Sequence, residues 1–341
     1  MAIQKSVLSN AIISELLQKL YNVSIDKIER LGIGTANCYK IYSKNKSYFL
    51  KEYQEVFSES DLQREVQLNH FLLSASYPTA TFITDVNGSE YNYINNRYIV
   101  LQEYIDGKSY INHDLPDKIL FQAAELLGKL HEFLQGYELP IGMNRPWVEK
   151  FNIEQANSDY DFLLEWMEEI NDKPLRERMR ADIIFKKELL SIIAPYGKFF
   201  DKITYKSTHG DYSALQYLCT DGEIKAVIDF ASAAKIPASW ELMRSYMQSA
   251  IDTKNPTDFD VEKFYDYVRR YLSISALSKA DLKYMPYIYL YQLGRSRYGY
   301  KEYMLNVENK DALLEFAFWR TDICRMLIHK ADEISQMLSE L

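Results

Sequence analysis

The chain has 341 residues, a formal net charge of −8 and 47% hydrophobic residues, which is long enough for two domains or one two-lobed enzyme. Its 26% charged residues are typical of a folded protein and not of a disordered one. No stretch approaches the roughly 18 uninterrupted apolar residues of a membrane span. The acidic balance argues against nucleic acid, because phosphate backbones are bound by clustered Lys and Arg. We therefore expect neither a membrane nor a nucleic-acid partner.

The N-terminal sequence favours a cytoplasmic location, and the cysteines argue against disulfides. The first 21 residues alternate apolar and polar side chains at helical spacing, which predicts an amphipathic helix and not a signal peptide. The three cysteines, Cys38, Cys219 and Cys324, are far apart and odd in number. This pattern argues against a disulfide framework or a CxxC metal site, so we expect three buried, free thiols.

Strand patterns dominate residues 25–104. Four segments are rich in β-branched and aromatic residues: IERLGIGTANCYKIYS, KSYFLKEY, TATFITDV and RYIVLQEYI. One helix interrupts them, because SESDLQREVQLNHFLLSAS begins with capping residues and continues with apolar residues at roughly helical intervals. The N-terminal part, 1–104, is thus predicted to be a β-sheet with one embedded helix.

Helical periodicity dominates after a short connector at 105–109. DLPDKILFQAAELLGKLHEFL predicts a helix that begins at Asp114 with Pro116 in its first turn. DYDFLLEWMEEIN and RERMRADIIFKKELLSII predict two more helices, and YLCTDGEIKAVIDF predicts a β-hairpin around Thr220-Asp221-Gly222. The predicted fold class is therefore α+β. A small β-rich N-lobe, a hinge and a large mainly helical C-lobe (110–341) follow in the order of a bilobal protein-kinase-like fold.

This order directs attention to the groups that phosphoryl transfer needs, namely a phosphate cover, a lysine, metal ligands and a carboxylate at the acceptor hydroxyl. Gly32 and Gly34 lie between two predicted strands, where they would let the backbone approach phosphate oxygens, although an ordinary hairpin turn also suits them. Lys51 ends a strand, and Glu65 on the next helix would hold it against the α- and β-phosphates. A solvated helix face is the alternative for Glu65.

The connector after RYIVLQEY suits a purine base. In kinase folds such a connector offers main-chain groups to the purine, so Glu103 and Ile105 would contribute N–H and C=O groups. Gln102 would line the back of the same pocket. Any connector between two lobes has a similar sequence, so these three assignments depend on the fold.

The window THGDYSALQYL contains the candidate catalytic loop. Asp211 would orient the acceptor hydroxyl and receive its proton, while Gln216 would offer a side-chain oxygen to Mg²⁺. Asp229, in VIDF after the hairpin, would be the charged metal ligand. His209 is expected to hold the loop in place. Because short HxD patterns arise by chance, the assignment depends on the hairpin that returns Asp229 to the loop.

Taken in order, these motifs resemble those of the aminoglycoside phosphotransferase and choline kinase superfamily of small-molecule kinases. LGIGTAN resembles its nucleotide loop, FLK its phosphate lysine, LLGKLHEFL its Leu-His helix, HGDYSALQ its catalytic loop and VIDF its metal motif, over about residues 25–250. The resemblance implies an Mg²⁺-dependent kinase that uses ATP or GTP. It also implies a small-molecule hydroxyl substrate, which is an aminoglycoside, a sugar or an amino alcohol, and a monomer or homodimer.

Gln216 is the main departure from the family pattern, which usually has asparagine five residues after the aspartate. Glutamine has the same amide oxygen on a stem one methylene longer, so coordination remains possible. Two alternatives stay open: a sugar kinase of the same fold, and a non-catalytic pseudokinase or spore-coat-like binding protein. A protein kinase is less similar, since no APE-like segment follows VIDF.

The substrate is less visible in the sequence. Glu241 and Asp252 are candidate acids for a polyamine substrate, but an acid on a helix is usually solvated. Tyrosines cluster over 287–303, where they serve either helix packing or the stacking of a sugar.

Overall fold

The computed structural model describes residues 4–32, 36–44, 46–111, 115–139, 152–251, 259–307 and 309–341. The chain divides into two compact units. The first unit consists of Met1–Lys108 and Tyr217–Ala231, and the second of Ser109–Gln216 and Ser232–Leu341. The hairpin that the sequence placed in the C-terminal lobe thus groups with the first unit, and the hinge at 105–109 stays a prediction.

The first unit is built on a five-stranded antiparallel sheet with the order β1-β2-β3-β5-β4. Lys51 lies on the central strand β3, opposite Cys38 of β2 and Val100 of β5. Because side chains alternate along a strand, Lys51 and Leu50 point to opposite faces of the sheet. The strands are β1 (Lys27–Leu31), β2 (Asn37–Ser43), β3 (Lys46–Glu52), β4 (Asn92–Ile94) and β5 (Arg97–Glu103).

Each face of this sheet packs against one predicted helix. Helix α1 (Asn10–Tyr21) buries Ile13 and Leu17 in the core that contains Leu50. Helix α2 (Glu59–Ser74) begins with a capping box between Ser58 and Asp61, as its sequence indicates. Its Leu62 and Val66 pack in the core that contains Val100, on the opposite face. Lys51 and α2 therefore share one face of the sheet.

The segment TATFITDV is not a strand, contrary to its β-rich sequence. It runs beside β5 and forms only an isolated bridge, between Phe82 and Gln102. The Asp85 carboxylate then accepts the backbone N–H groups of Asn87 and Ser89, each at 2.8 Å. This turn ends the extended conformation, and the adjacent edge of β5 pairs with β4 instead.

The predicted hairpin is confirmed. Strands β7 (Tyr217–Thr220) and β8 (Glu223–Val227) are joined by Asp221 and Gly222, whose φ values are 53° and 72°. Positive φ at both positions is the requirement of a type I′ turn, which Asp-Gly favours. The connector pairs with this hairpin, since Lys108 and Cys219 exchange two backbone hydrogen bonds of 3.0 Å.

The second unit is mainly helical. Helix α8 packs against α5, α6 and α10, and β6 (Tyr205–Thr208) pairs antiparallel with β9 (Ala234–Pro237). Helix α3 begins at Asp117, because Pro116 is its extended N-cap and not part of the first turn; Asp114 lies outside the described residues. The helices are α3 (Asp117–Phe133), α4 (Ile153–Trp166), α5 (Lys173–Ile193), α6 (Ala238–Ala250), α7 (Val261–Leu272), α8 (Lys279–Arg295), α9 (Tyr300–Met304) and α10 (Lys310–Leu338).

The three cysteines are buried and free, as expected. Across the described ranges, no helix is both long and apolar enough to cross a membrane.

Candidate active site

The first unit brings together Lys51, Glu65 and Asp229. Lys51 Nζ lies 2.7 Å from Asp229 Oδ1 and 3.7 Å from Glu65 Oε1. Only 8% of Lys51 is exposed. Burial by itself would lower the pKa of Lys51, but the two carboxylates outweigh it and raise that pKa well above its ordinary value. A charged ammonium is therefore held at a fixed point on the sheet.

Tyr53 completes this cluster and was missed in the sequence. Its ring centroid lies 4.3 Å from Lys51 Nζ, and its Oη donates a 2.9 Å hydrogen bond to Glu65 Oε2. Tyr53 follows Lys51 by two residues in an extended segment, so both side chains point to the same face. That spacing was the available signal.

Asp229 adopts a left-handed backbone conformation, with φ of 65°. Such a conformation costs a non-glycine residue about 1–3 kcal/mol and is often found at functional sites. The Asp229 side chain is 37% exposed, whereas those of Lys51 and Glu65 are 10% and 6% exposed. The partly exposed carboxylate thus faces both the buried ammonium and solvent.

The end of β5 presents main-chain groups that suit a purine. Glu103 donates its N–H to Thr81 at 2.9 Å. Its carbonyl oxygen and the N–H of Ile105 have no hydrogen-bond partner among the described residues. An acceptor and a donor two residues apart match the donor and acceptor edge of a purine. Gln102 lies in β5 opposite Phe49.

The predicted phosphate loop is described only in part. Gly32 is exposed, and no atom lies within 4 Å of the position that a Cβ would take there. Gly34 lies outside the described residues. The role of both glycines stays a prediction.

In the second unit, Asp211 is held by two side chains. Gln216 Nε2 donates to Asp211 Oδ2 at 3.1 Å, and Arg244 of α6 pairs with Asp211 Oδ1. Arg244 also donates to the carbonyl oxygen of Tyr212 at 3.2 Å. Because the Gln216 amide nitrogen faces Asp211, its carbonyl oxygen is the atom left to bind a metal. Sequence reasoning missed Arg244.

Glu241 braces the loop around Asp211 and is not a solvated acid. It is fully buried, accepts the Tyr212 N–H at 3.2 Å and accepts a hydrogen bond from the Thr208 hydroxyl. Burial raises the pKa of Glu241, opposed chiefly by the nearby His209. The carboxylate thus fixes both ends of Thr208–Tyr212. The other candidate acid, Asp252, lies outside the described residues.

His131 extends this brace from α3. Its Nε2 and Nδ1 lie 2.7 Å from Thr208 Oγ1 and Tyr271 Oη. The Thr208 hydroxyl donates its hydrogen bond to Glu241, so its oxygen accepts a hydrogen bond from His131 Nε2–H. His131 Nδ1 then accepts a hydrogen bond from the Tyr271 hydroxyl. Burial, with a smaller contribution from Lys206, lowers the pKa of His131 from 6.5 to about 3. The imidazole is therefore neutral.

Gly210 is required by the loop geometry. Its φ is +80°, and a Cβ there would lie 2.1 Å from the carbonyl oxygen of Ser232. The neighbouring His209 is fully buried, and its Nδ1 accepts the Asp211 N–H at 3.2 Å. This contact agrees with the structural role expected of His209.

A cavity of about 410 Å³ lies beside this loop in the second unit. Gly210 and Arg244 connect it to Asp211. Tyr289 and Tyr298, from the tyrosine-rich segment, line it with Arg320 of α10. The volume is that of a small-molecule site, which is typically about 300–1,000 Å³.

The donor set fits a hard divalent cation. In the described ranges, no group of three or more His, Cys, Asp or Glu side chains is placed to hold a metal alone. A kinase does not need such a group, because Mg²⁺ takes one or two protein ligands together with substrate phosphates. Carboxylate and amide oxygens, the types carried by Asp229 and Gln216, are donors that Mg²⁺ prefers, and the assignment of these two residues as ligands stays a prediction.

Residues 27–280 match the phosphotransferase enzyme family known as APH. The chain belongs to this phosphotransferase family. Its predicted superfamily and its enzyme class, a kinase that phosphorylates hydroxyl groups of small molecules, are thereby confirmed. No curated protein matches the chain by sequence.

Solved structures show the same fold. A spectinomycin phosphotransferase in complex with ADP and spectinomycin is 17% identical, with 95% of this chain and 99% of that chain covered and a TM-score of 0.68. A microcompartment-associated aminopropanol kinase is 14% identical, with 96% and 99% covered and a TM-score of 0.69. An amicoumacin kinase in complex with AMP-PNP, Ca²⁺ and Ami is 14% identical, with 96% of this chain and 94% of that chain covered and a TM-score of 0.61. The predicted α+β fold class is confirmed.

Gly210→Ala should destabilise this phosphotransferase more than Gly222→Ala. Both glycines have positive φ, which costs an alanine about 1–2 kcal/mol. No atom lies within 4 Å of a Cβ at Gly222, whereas one at Gly210 would strike Ser232. Thermal unfolding of both variants measures the difference. Equal losses would contradict the loop geometry.

The buried His131 should make this phosphotransferase less stable in acid. The unfolded chain binds a proton at His131 below about pH 6.5, whereas the folded chain does so only near pH 3. The unfolding free energy should therefore fall by up to about 1.4 kcal/mol per pH unit as the pH drops through this window. Denaturation of His131→Asn between pH 6.5 and 4 should show a shallower slope. Exposed His329→Asn is the control, and an unchanged slope in His131→Asn would contradict the assignment.

Proposed function

We propose that this phosphotransferase transfers the γ-phosphoryl group of ATP or GTP to a hydroxyl of a small molecule. The observation that carries the proposal is the buried Lys51 ammonium between Glu65 and Asp229. A lysine fixed in this way can neutralise phosphate oxygens without reorganisation during the reaction.

The other groups of the first unit support nucleotide binding. The Glu103 carbonyl oxygen and the Ile105 N–H would bind the purine edge, and Gln102 would line the back of this pocket. Gly32 and Gly34 would cover the phosphates. Two relatives of the same fold were solved with ADP and with AMP-PNP and Ca²⁺.

The second unit would supply the acceptor side of the reaction. Asp211 would orient the acceptor hydroxyl and receive its proton. Arg244 holds one oxygen of Asp211 and Gln216 the other, so the carboxylate is oriented before the acceptor binds. The cavity beside Gly210 is the acceptor site in this proposal.

Asp229 and Gln216 are assigned as the ligands of Mg²⁺, which would neutralise the charge that develops on the phosphates. The presence of all four groups, Lys51, Asp211, Gln216 and Asp229, supports catalysis over a non-catalytic binding role. Burying the Lys51 ammonium costs desolvation free energy, and a protein without kinase activity would have no need of that charge.

Asp211→Asn should reduce turnover by about 10²–10⁴-fold, the contribution typical of a positioned base, and should leave Mg-nucleotide binding intact. ADP release measures turnover across aminoglycosides, sugars, choline and homoserine, and calorimetry measures nucleotide binding. Gln216→Asn is the matched variant, since it keeps the amide oxygen and should preserve or raise activity. Unchanged turnover in Asp211→Asn would remove the proposed base.

A further inference from the structure

The cavity beside Asp211 carries positive charge. Of the 13 described residues that line it, Arg244 and Arg320 are cationic and none is an aspartate or a glutamate; Arg244 is paired with the neighbouring Asp211, so the excess positive charge is that of Arg320. A polyamine such as an aminoglycoside would need carboxylates in its site. The unpaired charge of Arg320 disfavours such a ligand in this cavity, although the whole chain has a net charge of −8.

Arg320 is the decisive residue. It is 6% exposed and forms no hydrogen bond or ion pair with any described residue. Its guanidinium lies over the Phe316 ring, whose centroid is 5.6 Å from Cζ. Burial lowers the pKa of Arg320, opposed chiefly by Tyr289, and the charge of Arg244 adds a smaller lowering effect. An unpaired buried cation is strongly unfavourable, so the site is built for an anion.

Arg325 shows what a structural arginine on the same helix looks like. It lies five residues further along α10 and pairs with Asp182 and Asp322, each at 2.7 Å. Arg320 lacks such partners among the described residues and faces the cavity instead. The contrast separates a packing role from a ligand-binding role.

Tyr289 provides a second, independent indication. Its hydroxyl is buried and has no hydrogen-bond partner among the described residues, and its side chain lines the cavity. The charges of both Arg244 and Arg320 act on this hydroxyl. A buried hydroxyl without a hydrogen-bond partner is unfavourable, and an anionic oxygen in the cavity would accept a hydrogen bond from it.

The remaining walls suit a hydroxylated carbon skeleton. Trp240, Tyr298 and Phe316 are aromatic residues of the lining, and Gln248 and Gln292 carry amide donors and acceptors. Aromatic faces cover the C–H surface of a sugar, and amides bind its hydroxyls.

We infer that the phosphate acceptor is a hydroxylated carboxylate, such as a sugar acid, and that this cavity binds it through Arg320 and Tyr289. The inference rests on the proposed function, which places the acceptor beside Asp211. The acceptor oxygen forms a bond to the γ-phosphorus as the bond from that phosphorus to the β–γ bridging oxygen breaks. The nucleoside diphosphate leaves with the bridging oxygen, and the hydroxyl proton passes to Asp211.

The test compares ligands that differ in one carboxylate: glucuronate with glucose, and gluconate with sorbitol, with kanamycin as the polyamine. Calorimetric titration of the full chain should show that each acid binds more tightly than its neutral partner. Arg320→Met should weaken binding of the acids about tenfold or more, as expected when one partner of a buried charge pair is removed. Lys330→Met, at an exposed ion pair on the same helix, should keep the wild-type preference.

Arg320→Met also has a readout that does not depend on a ligand. Replacing an unpaired buried cation by an apolar side chain should leave the melting temperature unchanged or raise it. A large drop would mean that Arg320 is structural and would overturn the inference.

Three binding results would also overturn it: neutral partners that bind as tightly as the acids, preferential binding of kanamycin, or acids that bind Arg320→Met as tightly as wild type.

ADP release from Mg-ATP separates this inference from the proposed function. Release with kanamycin or glucose but not with the acids would support the kinase and overturn the acidic acceptor. Arg320-dependent binding of the acids without ADP release from any compound would support the anion site and count against the kinase.

Discussion

A charged lysine inside the first unit depends on the two carboxylates beside it. Removing an ammonium from water costs several kcal/mol unless opposite charges and hydrogen bonds replace the solvent. Glu65 from α2 and Asp229 from the end of the hairpin provide that replacement for Lys51. Three separate segments of the chain therefore meet at one ammonium group, and that meeting fixes the positions of the groups proposed to bind the nucleotide.

The two units carry opposite local charges. At Lys51, two carboxylates face one ammonium, an arrangement that favours a further cation such as Mg²⁺. At Asp211, one carboxylate pairs with Arg244, and Arg320 adds an unpaired positive charge in the neighbouring cavity. The second arrangement favours an anion. These preferences correspond to the metal and to the acidic acceptor that we propose.

The loop around Asp211 is held by a chain of buried hydrogen bonds. Glu241 binds Thr208 and the Tyr212 N–H, and neutral His131 supports Thr208 from behind. Such networks are stabilising only when every member is satisfied. The rigidity they give to the loop is what a catalytic carboxylate needs, because misplacement of about 1 Å is costly in rate.

Sequence patterns were sufficient where the constraint is local. Strand alternation and helical spacing predicted that Lys51 lies on a strand and that Glu65 of the next helix faces it. Asp221-Gly222 predicted the hairpin turn. The patterns failed where a partner is distant in sequence. Glu241 has the spacing of a solvated helix acid, but its partners lie about 30 residues earlier, at Thr208 and Tyr212.

The cavity could not be predicted for the same reason. Most of its lining residues come from α6, α8 and α10, and no local pattern shows that Arg244, Tyr289 and Arg320 line one cavity. TATFITDV was wrongly predicted to be a strand, because its β-rich composition does not reveal that the Asp85 side chain forms a turn with the residues that follow.

The most direct test of the central claim is calorimetric titration of wild-type protein with ATP and GTP, with and without Mg²⁺. The account predicts Mg²⁺-dependent binding of at least one nucleotide, with a stabilisation of about 2.7 kcal/mol when the nucleotide is at 100 times its dissociation constant. Absence of binding of both nucleotides at millimolar concentration with Mg²⁺ would contradict it.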